Sequence, residues 1–177
     1  MATTSPLNLD FVRSQFPGLD RGWTFFDNAG GSQILKGAVE RINTFLIEKN
    51  VQIGGSYEVS QAAANALHEA RTAAMHLVNA GRPEEIIFGN STTALLQNLA
   101  RAMHSQLAPG DEIIVTIADH ESNIGPWDRL QERGVIFKVW PLNKETLTLD
   151  LADLAPLMSE RTKLVCVTHC SNLLGSI

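Results

Sequence analysis

Three short apolar runs, "EIIVTI" at 112–117, "VIFKVW" at 135–140 and "KLVCVTH" at 163–169, are separated by stretches with helical patterning at about 123–133 and around "LADLAPLM". A strand with one wet face alternates apolar and polar residues, whereas these runs are apolar almost throughout. Such a strand needs cover on both faces. A helix between successive strands is the connection that parallel pairing requires. The pattern predicts an α/β fold, a mostly parallel sheet with helices on both faces.

The same alternation extends towards the N-terminus. "EIIFG" predicts a strand at 85–88, followed by a helix over "STTALLQNLARAMHSQL" that "APGD" closes. Before it, about 57–79 is a long Ala-rich helix ended by Gly81 and Pro83, and residues 33–48 carry the helical stripe Ile34, Leu35, Ala38, Val39, Ile42, Phe45 and Leu46. "NVQIGGSYEVS" is a loop between them. "WTFFDNAGG" predicts an aromatic strand entering a Gly-Gly turn, and Leu9, Phe11, Val12 and Phe16 a short helix stopped by Pro17-Gly18. We expect an N-terminal arm over 1–22 and one α/β unit over 23–177.

Composition removes several classes of function. Fourteen basic against nineteen acidic residues give a net charge of −5 over 177 residues, with no Lys/Arg block, which argues against a nucleic-acid partner. No apolar stretch approaches the roughly 18 residues of a membrane span. "MATTSPLNLDFVRSQF" lacks the basic and apolar regions of a signal peptide. Cys166 and Cys170 form neither a disulfide framework nor a C-x-x-C motif, so a cytoplasmic setting is expected. The last strand runs into "THCSNLLGSI" with no closing helix, and a parallel strand left there predicts a chain that continues.

Open parallel sheets bind ligands outside the carboxyl ends of their strands. The expected tips read "GNSTTA", "ADHESN" and "THCSN", while the opposite loops "LAPGDE", "QERG" and "MSERTK" are ordinary turns and charges. Ser91, Thr92 and Thr93 open a helix. Their hydroxyls, the free N–H groups and the helix dipole suit a phosphate, though a plain N-cap has the same signature. No P-loop or dinucleotide fingerprint is present.

His120 stands at a strand tip, where an imidazole can face a pocket. The zinc motif H-E-x-x-H fails, because Ile124 follows His120-Glu121 and Thr72 follows His68-Glu69 at the decisive position. No metal site is expected. His68, His76 and His104 fall in helical stretches and read as solvated or half-buried side chains. Asn172 either supports a turn or faces the site. Cys166 reads as a strand-core residue and Cys170 as a packed thiol.

Taken together, "FFDNAGGSQ", "EIIFGNSTTALLQNLA", "GDEIIVTIADHESNIGPW" and "LDLADLAPLMSERTKLVCVTHCSNLLGSI" resemble the front of a class V aminotransferase-type enzyme. The nearest type is the cysteine desulfurase and selenocysteine lyase group, which uses pyridoxal 5′-phosphate (PLP) on the fold type I scaffold. The resemblance runs from about residue 20 to the end. It implies that 23–177 is the N-terminal part of the PLP-binding large domain, with its remainder and the small domain absent. It implies that Thr92 and Thr93 bind the PLP phosphate and that His120 is a catalytic residue stacked on the pyridine ring. Asn172 is implied near the cofactor's phenolic oxygen and the substrate carboxylate, and Asn28 and Ala29 line the pocket.

The chain departs from the family at two places. Gln52-Ile53-Gly54-Gly55-Ser56 stands for the His/Arg-rich "HRGxH", with Gln52 and Ser56 replacing the two histidines of that part of the substrate pocket. "DHESN" stands for "EHHAN", with Glu121 in place of the second His. The family's aspartate for the pyridine nitrogen, its Schiff-base lysine and its mobile-loop cysteine fall beyond residue 177. None of Lys36, Lys49, Lys138, Lys144 and Lys163 lies in the family's "SxHK" context. The resemblance implies C–S bond cleavage on an amino acid such as cysteine, by sulfur transfer or as a lyase. The alternatives are an amino-acid epimerase or other lyase of the same fold, or a non-catalytic fragment. It further implies a homodimer and a possible sulfur-acceptor protein. The 177 residues alone are expected to be inactive.

Overall fold

A computed structural model describes residues 7–177, which divide into one unit up to Ile87 and another from Phe88 to Ile177. In the first unit, α1 (Leu9–Ser14) starts where the Asn8 side chain accepts a hydrogen bond from the Phe11 N–H at 3.0 Å. The Lys36 N–H donates to the Gln15 carbonyl at 2.9 Å, tying the start of α2 (Lys36–Glu48) to the end of α1. α3 (Glu58–Val78) ends at Asn79 in the left-handed conformation, φ 55°, a conformation Asn tolerates better than most residues.

The loop before α3 is held by Ser60, which is fully buried. Its hydroxyl donates to the Gln52 carbonyl at 2.8 Å and accepts from the Gly55 N–H at 2.9 Å. A Cβ at Gly55 would lie 2.6 Å from the Tyr57 ring and 3.2 Å from Ser60 Oγ, so a larger residue there would have to displace the Tyr57 side chain. Two expected strands do not form. The chain at Trp23–Phe26 is irregular, with Trp23 72% and Phe26 94% exposed, and 85–88 begins as the end of a 3-10 turn (Pro83–Glu85). An apolar run becomes a strand only where another strand satisfies its backbone, and among the described residues neither stretch is paired.

In the second unit α4 (Thr92–Met103) leads to β1 (Glu112–Thr116). The expected helix at 123–133 is a single turn, α5 (Gly125–Asp128), continued as a 3-10 helix to Arg133 and closed by Gly134 at φ 83°. β2 (Ile136–Trp140) follows. Next comes a small antiparallel hairpin of β3 (Leu142–Asn143) and β4 (Thr148–Leu149), which the strand reading did not include. α6 (Leu151–Leu154) and a 3-10 turn precede β5 (Thr162–Val165).

The sheet order is β2-β1-β5, and both pairings are parallel. Every residue of β1 is buried, as a central strand with near-continuous apolar sequence must be. Ile113 and Val115 pack with Ala100, Trp127, Leu130, Val135 and Cys166 to form the core. At the sheet's amino end Glu112 ion-pairs with Lys138 at 2.7 Å and accepts from Ser159 Oγ at 2.7 Å and Thr162 Oγ1 at 3.1 Å. The chain leaves β1 for β2 on one side and returns as β5 on the other, so the carboxyl tips of β1 and β5 are neighbours.

Candidate active site

The β1 tip is organised by Asp119, to which the sequence reading gave no role. Its Oδ2 accepts from Thr116 Oγ1 at 2.6 Å and from the Thr168 N–H beyond β5 at 3.2 Å, and its Oδ1 accepts from Asn123 Nδ2 at 2.8 Å. Ser171 adds a second tie between the tips. Its buried hydroxyl donates to the Ala118 carbonyl at 2.9 Å and accepts from the Leu174 N–H at 3.2 Å. One carboxylate and one hydroxyl therefore fasten two loops that have no sheet bonds of their own.

His120 caps the 3-10 turn Glu121–Asn123. The Ser122 N–H donates to its Nδ1 at 3.0 Å, and Ser122 Oγ lies 2.9 Å from the same atom. A backbone N–H can only donate, so Nδ1 carries the lone pair and the neutral ring carries its proton on Nε2. The imidazole is thus held by its own backbone and remains exposed to a cleft of about 390 Å³, which Thr93, Gln97, Glu121, Ser122 and Arg129 also line.

Thr93 reaches that cleft from the start of α4. Ser91 is the N-cap there, its side chain accepting from the Ala94 N–H at 3.2 Å. With the cap supplied by Ser91, the exposed hydroxyls of Thr92 and Thr93 have no protein hydrogen-bond partner among the described residues. First-turn N–H groups and the dipole's positive end complete a donor set that suits a phosphate.

The other residues singled out from the sequence lie elsewhere. Asn172 is exposed in the turn after β5 and is not part of the lining of the His120 cleft. Asn28 belongs to the first unit, where it lines a cleft with Trp23, Phe25 and Gln33 and its carbonyl accepts from the Gly31 N–H at 3.2 Å. Ala29 is exposed in the same turn. Gln52 and Ser56 are exposed in the loop that Ser60 holds, each using its backbone carbonyl to accept from α3: from Ser60 Oγ at 2.8 Å and from Gln61 Nε2 at 2.9 Å. Cys166 is buried, and burial, reinforced by the charge of Asp119, pushes its thiol up to about 12. Cys170 is exposed, with its Sγ 3.8 Å from the Gly175 carbonyl.

A parallel sheet with polar groups at adjacent carboxyl tips has the arrangement in which open α/β sheets bind ligands, and the architecture is that of fold type I enzymes. The chain belongs to the class-V aminotransferase family, whose sequence model matches residues 24–177. It is 43% identical to the aminotransferase-like protein FGM3 of Gibberella zeae, over 99% of this chain and 44% of that protein. It is 36% identical to a cysteine desulfurase of Serratia proteamaculans, over 96% of this chain and 43% of that one. The apo cysteine desulfurase of Thermococcus onnurineus NA1 superposes with a TM-score of 0.84 at 28% identity, over 95% of this chain and 42% of that chain. The chain therefore spans less than half the length of these relatives.

Proposed function

We propose that the chain is part of a PLP-dependent, cysteine desulfurase-like enzyme that cleaves the C–S bond of an amino acid such as cysteine. The observation that carries this is the cleft shared by Thr93 and His120, a phosphate-type donor set at one side and a flat imidazole at the other. The class-V family uses PLP, and a protein of the same fold is described with glycine covalently linked to that cofactor. The residues present fit the group, since two threonine hydroxyls without partners among the described residues and a helix N-terminus match a phosphate dianion. When bound, PLP supplies the electron sink for carbanion chemistry.

The chain's own residues have separable tasks. Thr92 and Thr93 hold the phosphate. His120 presents its ring to the cleft while its Nδ1 stays committed to Ser122. By the family resemblance, Asn172 serves the phenolic oxygen and substrate carboxylate, while Asn28, Ala29, Gln52 and Ser56 contribute to the substrate pocket. Lys138 is held by Glu112 and by the Leu157 carbonyl (2.9 Å) at the sheet's amino end. None of the five lysines stands in the family's "SxHK" context, so by the resemblance the covalent lysine of the cofactor is proposed to come from beyond Ile177. A cytoplasmic homodimer and a sulfur-acceptor partner belong to the same reading.

A second reaction on this site, amino-acid epimerisation or another lyase step, is favoured by Gln52, Ser56 and Glu121, which stand where the desulfurase pattern has histidines. The test is the full-length gene product with PLP. A visible absorption band unlike that of free PLP, with alanine formed from cysteine and its sulfur released as sulfide once a thiol reductant such as dithiothreitol is added, supports the desulfurase reading. Racemised amino acid without sulfide supports the second. A spectrum identical to that of free PLP would rule out both.

A further inference from the structure

His120 owes its orientation to the short turn that follows it. The Ser122 N–H that fixes its Nδ1 is part of the 3-10 turn Glu121–Asn123, which the Ile124 N–H closes on the Glu121 carbonyl at 3.1 Å, and two further bonds hold it at Asn123. The Asn123 N–H donates to the His120 carbonyl at 2.8 Å, and Asn123 Nδ2 donates to Asp119 Oδ1 at 2.8 Å. The other oxygen of Asp119 is anchored on both strands, by Thr116 Oγ1 at the end of β1 and by the Thr168 N–H beyond β5. The turn's other hydrogen bonds are local, within His120–Ile124, so among the side-chain bonds of the described residues this carboxylate is what connects it to the sheet. Hydrogen bonds to an ionised acceptor are about twice as strong as neutral ones. Three donors on one half-buried carboxylate make it the natural anchor of the tip.

Resting on the cofactor reading above, we propose that Asp119 is a positioning residue for His120. Through Asn123 it fixes the turn whose Ser122 N–H keeps the imidazole in its Nε2-protonated form and facing the cleft. Asp119 itself does not line the cleft. Its effect on the cofactor is therefore indirect, through the ring it aims.

The geometry supplies its own control. In D119N the amide oxygen can still accept from Thr116 and Thr168, but the new amide nitrogen is set against the Asn123 Nδ2 donor. In D119N/N123D the pair is exchanged, so that donor again faces acceptor and the net charge is unchanged. We would label the full-length protein with ring-15N histidine, identify the His120 signal with H120Q, and read its tautomer from two-bond nitrogen–proton correlations. PLP affinity is measured in parallel, and melting temperature reports folding.

The expected result is a single Nε2-protonated pattern in the wild type and loss of that single pattern in D119N. The PLP dissociation constant should rise roughly tenfold in D119N, the scale of one charged hydrogen bond, and both properties should return in D119N/N123D. If D119N keeps the wild-type pattern and affinity, the proposal is overturned. A folded double variant that fails to restore the pattern also overturns it, and this arm decides the matter should D119N not fold. If the wild type binds no PLP while the tautomer follows this course, the positioning role stands and the cofactor reading falls.

Discussion

Lys138 Nζ sits 2.7 Å from Glu112 Oε2, across the β1–β2 pair at the amino end of the sheet. The carboxylate is nearly buried there, and Ser159 and Thr162 donate to the same oxygen. The Lys138 hydrogen bond, followed by that of Ser159, holds Glu112 below its ordinary 4.5. A depressed carboxyl stabilises the fold above its unfolded value, and that contribution is lost as pH falls through the lower folded value. Urea midpoints measured from pH 7 down to pH 3 should therefore fall below about pH 4.5 in the wild type and fall less in E112Q. K138M should lower the midpoint at pH 7, because it leaves a nearly buried carboxylate without its counter-ion.

Trp127 is 1% exposed in the core, and its Nε1 has no hydrogen-bond partner among the described residues. W127A should cost about 4 kcal/mol, the usual scale for emptying an aromatic site. W127F removes no hydrogen bond and should cost less than half of that. Equilibrium unfolding in urea separates the two, and equal costs would mean that the site is not a tightly packed core position.

Ser91 and the two threonines after it should separate by role. S91A removes the cap of α4 and should lower stability by about 1 kcal/mol. T92A and T93A remove hydroxyls without protein partners and should change stability by no more than about 0.5 kcal/mol, while weakening PLP binding to the full-length protein. Thermal melts read beside a PLP titration give the answer. A large stability loss in T93A with unchanged PLP affinity would assign that hydroxyl to the fold instead.

Cysteine chemistry should follow burial. A thiol pushed up to about 12 is ionised at pH 8 to only about one part in ten thousand, and its burial blocks access as well. Iodoacetamide at pH 8 should modify exposed Cys170 in the folded protein and reach Cys166 only after unfolding, as read by mass spectrometry of the digested protein.

The three sheet strands were legible because each is a local run of apolar, largely β-branched residues, though only the central β1 is buried throughout and Ile136 and Val139 of β2 stay exposed. α3 and α4 were legible from their periodicity and their start and stop residues. The runs at Trp23–Phe26 and 85–88 had the same composition but no strand to pair with, and pairing is not a local property. The β3–β4 hairpin did have a local signal: Asn143 Oδ1 accepts from the Glu145 and Thr146 N–H groups at 2.9 and 3.2 Å, an Asx turn inside "LNKETLTL". At the site, Thr93 and His120 were legible as a helix start and a strand tip. Asp119 was not, since its partner Thr168 lies 49 residues away.

The sequence by itself determined that these residues make parallel strands, and that polar groups gather at the strands' carboxyl ends. Those are consequences of side-chain polarity and of spacing within a few residues. Only the tertiary structure decided which tips meet. The order β2-β1-β5 brings Asp119 beside Thr168 and Ser171 beside Ala118. A carboxylate's role depends on which donors surround it, and here one of the three is delivered by the return of the chain as β5.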